Sequence, residues 1–227
     1  MFEFVDRTSD RSLVLISGWA FDCRIYSALD LPYNYLLFEA GGVKRFEREL
    51  KEELAQRRIK RVSLFGWSQG AFVAADFAAK NPELVDELIL VGARRQYEKD
   101  AVEKIKRYLK KNAHLFMSKF YKECFSKYEQ DCCRRFSDSL GADYLQEIPA
   151  EKLMAQLDWL TNKRIMPDSL ADVRRVTLAH GDADAIAPVA EAVQIAGQIP
   201  GAHLVVFEEA GHIPFLRNDF SKRLYEQ

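Results

Sequence analysis

Val62-Ser63-Leu64-Phe65-Gly66-Trp67-Ser68-Gln69-Gly70 is the stretch that decides the fold of this 227-residue chain. Its first four residues have the apolar character of a buried strand, and a helical pattern runs from Phe72 to Lys80 after it. A serine between two glycines at a strand-to-helix junction is typical of a nucleophile elbow, a turn so sharp that the serine hydroxyl projects above the sheet. Glycine at both flanking positions avoids a collision with neighbouring backbone. The alternative interpretation is a tight turn that contains an incidental serine.

Short apolar runs bounded by glycine or turn residues recur along the chain, and they predict the buried strands of a parallel sheet. The predicted strands are Leu13–Ile16, Tyr35–Phe38, Val62–Phe65, Leu88–Val91, Val176–Ala179 and His203–Phe207. Amphipathic stretches predict helices between several of them, at Val43–Arg58, Phe72–Lys80 and Val189–Gln198. The first 93 residues therefore have a β-α-β-α-β pattern, for which right-handed crossovers are expected.

The segment of residues 94–164 interrupts this alternation, because it contains no strand-like run and consists mostly of amphipathic helix. It predicts a helical lid insert in an α/β core formed by residues 1–93 and 165–227. Residues 94–135 carry 13 Lys or Arg against six Asp or Glu, although the whole chain has a net charge of -1. A basic insert is suited to steering an acidic partner, and the alternative is an ordinary solvated helix face. Aromatic residues recur at helical spacing in this insert, which predicts that they pack in the core or bind an acyl chain. These residues are Phe116, Phe120, Tyr121 and Phe125.

The composition narrows the classes of function. A chain of this length with 48% hydrophobic residues can bury one sizeable core, and its near-zero net charge disfavours whole-molecule attraction to nucleic acid or to an anionic membrane. The four cysteines lack metal-ligand spacing and favour a reduced, cytoplasmic location. The sequence has neither a basic leader nor an apolar run of about 20 residues, so secretion and membrane insertion are disfavoured. No cofactor or metal site is predicted.

A serine hydroxyl needs a histidine base and a carboxylate that orients this base. His212 lies in Ala210-Gly211-His212-Ile213-Pro214-Phe215, on a loop after the last predicted strand, where the active face of such sheets forms. The other histidines lie in the insert or on strands, and they are His114, His180 and His203. Asp184 is the preferred acid, since Asp182 in the same loop is expected to hydrogen-bond the backbone of its own turn. The predicted triad is Ser68, Asp184 and His212; the alternative is that His212 is a structural loop residue.

Two backbone N–H groups must stabilise the oxyanion of the tetrahedral intermediate. The residue after the nucleophile, Gln69, is expected to supply one of them. The loop Ser17-Gly18-Trp19-Ala20 follows the first predicted strand, and its glycine permits the chain to turn the N–H of Trp19 inward. The alternative for Trp19 is a core aromatic near the edge of the sheet, and the two interpretations are compatible.

These motifs resemble those of the α/β-hydrolases, and among them those of the pimeloyl-acyl-carrier-protein methyl ester esterases of biotin synthesis. The order serine, acid, histidine along the chain is also the order of this fold. Two departures from the family pattern are Ser17 in place of a histidine before Gly18, and a glycine-rich segment shortened to Phe38-Glu39-Ala40-Gly41-Gly42. The resemblance covers most of the chain outside the insert and rests on Gly18-Trp19, the elbow with Trp67, the acid loop with Gly181, Asp184 and Pro188, and the histidine loop.

The resemblance implies an α/β-hydrolase fold, in which helices flank a mostly parallel sheet and a helical lid is inserted. It implies a serine carboxylesterase that hydrolyses the methyl ester of pimeloyl-acyl-carrier protein. An acidic acyl carrier protein would then be the partner, docking on the basic insert around Arg94, Arg95, Arg134 and Arg135. An acyl thioesterase, or a lyase that uses the same triad on a small acid, is an alternative, and so is a non-catalytic binding module on the same fold.

Overall fold

One seven-stranded sheet organises the chain, of which the computed structural model describes residues 2–38, 43, 45–147 and 149–226. The strands are β1 (Phe2–Val5), β2 (Ser12–Ile16), β3 (Asn34–Phe38), β4 (Val62–Trp67), β5 (Val85–Val91), β6 (Val176–Gly181) and β7 (His203–Phe207). Their order across the sheet is β1-β3-β2-β4-β5-β6-β7. Neighbouring strands pair in parallel, except that β1 is antiparallel to β3.

The strands predicted from the apolar runs are confirmed, with ends that differ from the prediction by three residues or fewer. The sequence reasoning missed β1. This strand lies at the edge of the described sheet, where its pairing partner is β3. Its residues are half-buried or exposed, so it lacks the continuous apolar run by which the central strands are detected.

Helices lie against both faces of the sheet. They are α1 (Phe46–Arg57), α2 (Gln69–Lys80), α3 (Lys99–Glu123), α4 (Gln130–Phe136), α5 (Ala142–Glu147), α6 (Ala150–Leu160), α7 (Val189–Ala196) and α8 (Phe220–Tyr225). Alternate strand residues face opposite sides. Val14 and Leu64 pack with α1 and α2, whereas Leu15 and Phe65 pack with residues of α3 to α6. Both faces of the central strands are therefore buried, which explains their unbroken apolar sequence.

The chain leaves the sheet after β5 and returns at β6, its neighbour in the sheet. The helices α3 to α6 lie between these strands, and an antiparallel bridge between Gln96 and Arg164 joins the two ends of the helical segment. Helix α3 is bent at Asn112, whose backbone is not helical and whose side-chain oxygen accepts the N–H of Leu115 at 2.9 Å. The exact boundaries of the insert, residues 94–164, stay a prediction.

The described part of the chain contains no helix with the length and apolar character needed to cross a membrane. Residues 39–42 of the shortened glycine-rich segment lie outside the described residues, so the effect of that departure on the site stays a prediction.

Candidate active site

The elbow places Ser68 alone between a strand and a helix, because β4 ends at Trp67 and α2 begins at Gln69. The φ of 54° and ψ of -114° at Ser68 belong to a region that residues other than glycine seldom adopt. A Cβ at Gly66 would lie 2.5 Å from the carbonyl oxygen of Gly70, and a Cβ at Gly70 would lie 2.1 Å from a carbonyl oxygen of β2. The turn therefore has the strained serine and the steric need for two glycines that the sequence pattern predicts.

Asp184 and His212 form a buried pair. Nδ1 of His212 lies 2.7 Å from Oδ2 of Asp184, and the two side chains are almost fully excluded from solvent. The other carboxylate oxygen accepts the backbone N–H groups of Ile186 and Ala187 at 2.8 and 2.9 Å. Burial by itself would raise the pKa of Asp184, but the imidazoles of His212 and His180 outweigh burial and hold that pKa well below its usual value. Asp184 is therefore an ionised acceptor that can orient the ring of His212.

The second ring nitrogen of His212, Nε2, is buried and has no hydrogen-bond partner among the described residues. The end of β5 borders this ring, since a Cβ at Gly92 would lie 2.9 Å from Cε1 of His212. Ser68 adjoins the same strand end, where its N–H donates to the carbonyl oxygen of Val91 at 2.8 Å. Trp67, the residue before Ser68, donates its indole N–H to the carbonyl oxygen of His212 at 2.8 Å. The elbow and the histidine loop are thus in direct contact.

The Ser68 hydroxyl contacts a group that the sequence reasoning did not single out. Its Oγ lies 3.5 Å from the hydroxyl of Tyr97, and no hydrogen bond joins it to Nε2 of His212 in the described part of the chain. The structure thus joins the predicted acid and base directly and leaves the predicted nucleophile in contact with a tyrosine. The predicted triad requires a hydrogen bond between the Ser68 hydroxyl and Nε2 of His212, so this part of it stays a prediction.

Tyr97 is held beside Ser68 by its own neighbours. The guanidinium of Arg94 lies 4.7 Å from the centre of the Tyr97 ring, and Arg94 pairs with Glu191 of α7 at 3.0 Å. Burial raises the pKa of Tyr97, so its hydroxyl keeps its proton and can donate it. The one sequence signal for this residue is its position shortly after the carboxyl end of β5, the edge at which parallel sheets form their sites.

The residues predicted to donate to the oxyanion, Trp19 and Gln69, both adjoin the nucleophile. A Cβ at Gly18 would lie 3.2 Å from Cβ of Ser68, so the loop after β2 runs beside the elbow. The N–H of Trp19 has no acceptor among the described residues. Gln69 is the first residue of α2, a position whose N–H has no acceptor within the helix. Both residues adjoin Ser68, and their role as oxyanion donors stays a prediction.

The side chains of Trp19 and Gln69 have a second set of partners, on helix α6. The indole N–H of Trp19 donates to the carbonyl oxygen of Leu153 at 3.0 Å, and the Gln69 amide donates to that of Gln156 at 3.2 Å. Trp19 is also packed edge-on against Phe120 of α3, with 5.0 Å between the ring centres. The core-aromatic interpretation of Trp19 therefore agrees with its packing, and helix α6 covers the loop that carries it.

Two residues near the acid make contacts that the sequence analysis does not predict. Among the described residues, Asp182 does not bond the backbone of its own turn as expected; its Oδ1 accepts the N–H of Glu209 at 2.7 Å and so ties the acid loop to the turn after β7. Nε2 of His180 lies 2.7 Å from the carbonyl oxygen of Ala187 and 3.4 Å from Oδ2 of Asp184, so His180 contacts the acid of the site. Sequence spacing alone does not reveal either contact. The Asp182–Glu209 bond joins two separate segments, and the His180–Asp184 contact depends on how the acid loop curves.

The four arginines expected to receive an acidic partner fall into two pairs. Arg94 and Arg95 are half-buried at the end of β5, where Arg94 binds Glu191 and Arg95 binds Gln198 at 3.1 Å. Arg134 and Arg135 are exposed on helix α4. The surface available to a partner therefore includes the second pair. The aromatic residues of the insert turn inward, since Tyr121 and Phe125 are buried and Phe116 and Phe120 pack against the same cluster.

Comparisons with known proteins agree with this architecture. A sequence profile described as alpha/beta hydrolase fold matches residues 35–219. The pimeloyl-[acyl-carrier protein] methyl ester esterase of Aromatoleum aromaticum is 28% identical over 241 aligned positions, which cover 90% of this chain and 92% of that protein. The protein of the same name from Nitrosomonas europaea is 26% identical, with coverage of 90% and 89%. The solved structure of an esterase from Exiguobacterium antarcticum superposes on this chain with a TM-score of 0.83 at 20% identity. The superposition covers 98% of this chain and 92% of the esterase, so the two share a fold.

Proposed function

Since this chain belongs to the α/β-hydrolase fold family, as its motifs predict, we propose that it is a serine carboxylesterase. Ser68 is the nucleophile, His212 the general base and Asp184 the acid that orients the base. One observation carries this proposal: the buried Asp184–His212 pair, 2.7 Å apart, has an unpartnered Nε2 and adjoins a strained serine elbow. The strained backbone of Ser68 and the buried polar groups of Asp184 and His212 each cost folding free energy, and catalysis explains why all three occur at one place.

The proposed reaction has two halves. Nε2 of His212 takes the Ser68 proton while Oγ attacks the ester carbonyl carbon, and the N–H groups of Trp19 and Gln69 stabilise the oxyanion. Asp184 stabilises the imidazolium. The intermediate collapses when the ester C–O bond breaks, and the imidazolium gives its proton to the departing alcohol. Water then attacks the acyl-serine with the same base, and the products are a carboxylic acid and the regenerated Ser68 hydroxyl.

The substrate we propose is the methyl ester of an acyl chain held on an acyl carrier protein, with pimeloyl as the acyl group. Its support is the similarity to two pimeloyl-[acyl-carrier protein] methyl ester esterases, each aligned over about nine-tenths of this chain. The charge of the insert adds to that support, because Arg134 and Arg135 expose positive charge to an acidic carrier. A thioesterase or a small-acid lyase would use the same triad, so the choice among them depends on the substrate tested.

The decisive experiment removes the nucleophile. Ser68→Ala is expected to lower kcat for p-nitrophenyl butyrate by at least about 10⁴-fold, as in other hydrolases in which the triad acts as a unit. Labelling by a fluorophosphonate is expected to be lost as well. Ser169→Ala is the matched control, since Ser169 is exposed and, among the described residues, its hydroxyl binds only the carbonyl oxygen of Met166. Undiminished turnover and labelling in Ser68→Ala would refute the assignment.

Substrate profiling then separates the competing activities. We expect hydrolysis of the methyl ester of pimeloyl-acyl-carrier protein to exceed hydrolysis of a free acyl thioester. The reverse preference identifies a thioesterase. Absence of turnover together with absence of fluorophosphonate labelling in the unmodified protein identifies the non-catalytic binding module.

A further inference from the structure

Glu129 is a buried carboxylate of the insert, with 7% of its surface exposed. It lies immediately before helix α4. Its Oε2 accepts two backbone N–H groups, that of Ser126 at 2.9 Å and that of Gly211 at 2.7 Å. The first donor belongs to the same loop of the insert. The second is 82 residues away and immediately precedes His212.

Two further bonds join the same two loops. The N–H of His212 donates to the carbonyl oxygen of Cys124 at 2.7 Å, and the hydroxyl of Ser126 donates to the carbonyl oxygen of Glu209. The loops also touch closely, since a Cβ at Gly211 would lie 2.6 Å from the carbonyl oxygen of Cys124 and 2.7 Å from the nitrogen of Ser126. At Gly211, the two loops therefore leave no room for a side-chain carbon.

We propose that Glu129 is a positioning residue for the catalytic histidine, through which the insert holds His212 in place. This inference rests on the proposed function of His212 as the base. The backbone N–H groups of Gly211 and His212 are bound by the insert, the His212 carbonyl oxygen is bound by Trp67, and Nδ1 is bound by Asp184. The direction of Nε2 is then determined by four contacts, of which the insert supplies two.

A purely local role for Glu129 explains only half of its contacts. Ser126-Lys127-Tyr128-Glu129 has the S-x-x-E spacing of a capping box, and Glu129 accepts the N–H of Ser126 as the glutamate of such a box does, although α4 begins only after Glu129. That box needs no bond to Gly211. A carboxylate is also a stronger acceptor than a neutral group, and it satisfies a buried N–H that would otherwise lack a partner. The additional bond ties the base of the site to the insert.

The test compares three substitutions by kcat, KM and the pH profile of kcat/KM with p-nitrophenyl butyrate. Glu129→Ala is expected to lower kcat about 10- to 100-fold with KM within about 3-fold, because a misplacement of about 1 Å costs up to that factor. It is also expected to displace the acid limb of the pH profile, which reports the base. Glu129→Gln keeps an oxygen acceptor for both N–H groups and is expected to stay within about 5-fold of the unmodified protein. Glu123→Ala is the control, since Glu123 is an exposed insert carboxylate that pairs with Lys119 at 3.4 Å.

A second measurement does not depend on turnover. Amide hydrogen exchange of Gly211 and His212, followed by NMR, is expected to be at least about 10-fold faster in Glu129→Ala than in Glu129→Gln or Glu123→Ala. Should Glu129→Ala fail to fold, Glu129→Asp replaces it, because it keeps the charge and shortens the side chain by one methylene.

Two results would overturn the inference. In one, Glu129→Ala loses thermal stability but keeps the kcat, pH profile and amide exchange of the control. In the other, Glu129→Gln is as impaired as Glu129→Ala, which would mean that the acceptor geometry is not what matters. Failure of the proposed function looks different: the unmodified protein would then hydrolyse no ester, whereas the exchange measurement would still decide whether Glu129 holds the histidine loop.

Discussion

The sheet core and the helical insert contribute to the site in different ways. The predicted nucleophile, acid and base, Ser68, Asp184 and His212, follow strands β4, β6 and β7 of the core. The insert contributes acceptors for the groups around them: the carbonyl oxygens of Leu153, Gln156 and Cys124 and the carboxylate of Glu129. In the proposed enzyme the core would carry the chemistry, and the insert would hold and cover the residues that perform it.

The two regions also differ in how tightly they constrain their residues. Central strands are buried on both faces, and the elbow sits where β4, α2 and β2 meet at contact distance. Helix α3 has one buried stripe, which includes Leu109, Met117 and Tyr121, and most of its charged residues are exposed. A substitution in the core is therefore expected to act on folding and on every substrate. A substitution on the outer side of the insert is expected to affect only the binding of the proposed carrier.

A pair of glycine substitutions tests this contrast with the largest expected effect. Gly70→Ala places a Cβ 2.1 Å from a carbonyl oxygen of β2. Because this oxygen belongs to the backbone of a central strand, it cannot move away easily, and we expect at least about 3 kcal/mol of destabilisation or no folded protein. Gly141→Ala in the insert meets no atom closer than 3.5 Å and is expected to change stability by less than about 1 kcal/mol. Urea unfolding followed by circular dichroism measures both. Equal tolerance at the two positions would remove the distinction between the regions.

Charge reversal on the insert tests the second half of the contrast. Arg134→Glu with Arg135→Glu is expected to lower kcat/KM for a carrier-linked ester by about 10-fold at low salt, because exposed charges act mainly on the association rate. Turnover of p-nitrophenyl butyrate is expected to stay unchanged. The matched control is Arg45→Glu with Arg48→Glu, an equal charge change at exposed positions of the core. An equal loss in the control would show a general charge effect, and no loss in either would place carrier docking elsewhere.

Tyr97 gives the smallest expected effect and tests the border between the regions. The Tyr97 hydroxyl lies 3.5 Å from Oγ of Ser68 and can hydrogen-bond it. Tyr97→Phe removes this bond and is expected to let the Ser68 hydroxyl turn to His212. Since so long a bond is worth about 0.5 kcal/mol, we expect the rate of fluorophosphonate labelling to rise about 2- to 3-fold. Tyr108→Phe, at an exposed tyrosine of the insert, is the control. A lower rate in Tyr97→Phe would instead make its hydroxyl a donor during the reaction.

Much of the core was predictable because its signals are local. An apolar run such as Val176–Ala179 shows a buried strand directly, and a serine between two glycines at a strand end shows a sharp turn. The Asp184–His212 contact was predictable for a related reason: both residues follow strands of one parallel sheet, and the carboxyl ends of such strands meet at the same edge. The S-x-x-E pattern before α4 is also local, yet it indicates only a helix start.

By itself, the sequence determined the parallel sheet, the position of the elbow and the loops that carry an acid and a histidine, because these depend on residues close together in the chain. Tertiary structure alone decided that Tyr97 contacts Ser68, that His180 contacts Asp184, and that Glu129 binds the N–H before His212. The first and third of these contacts join a residue of the insert to a loop of the core that is distant from it in the chain. Their formation depends on how helices close over the sheet, and no spacing along the chain encodes that geometry.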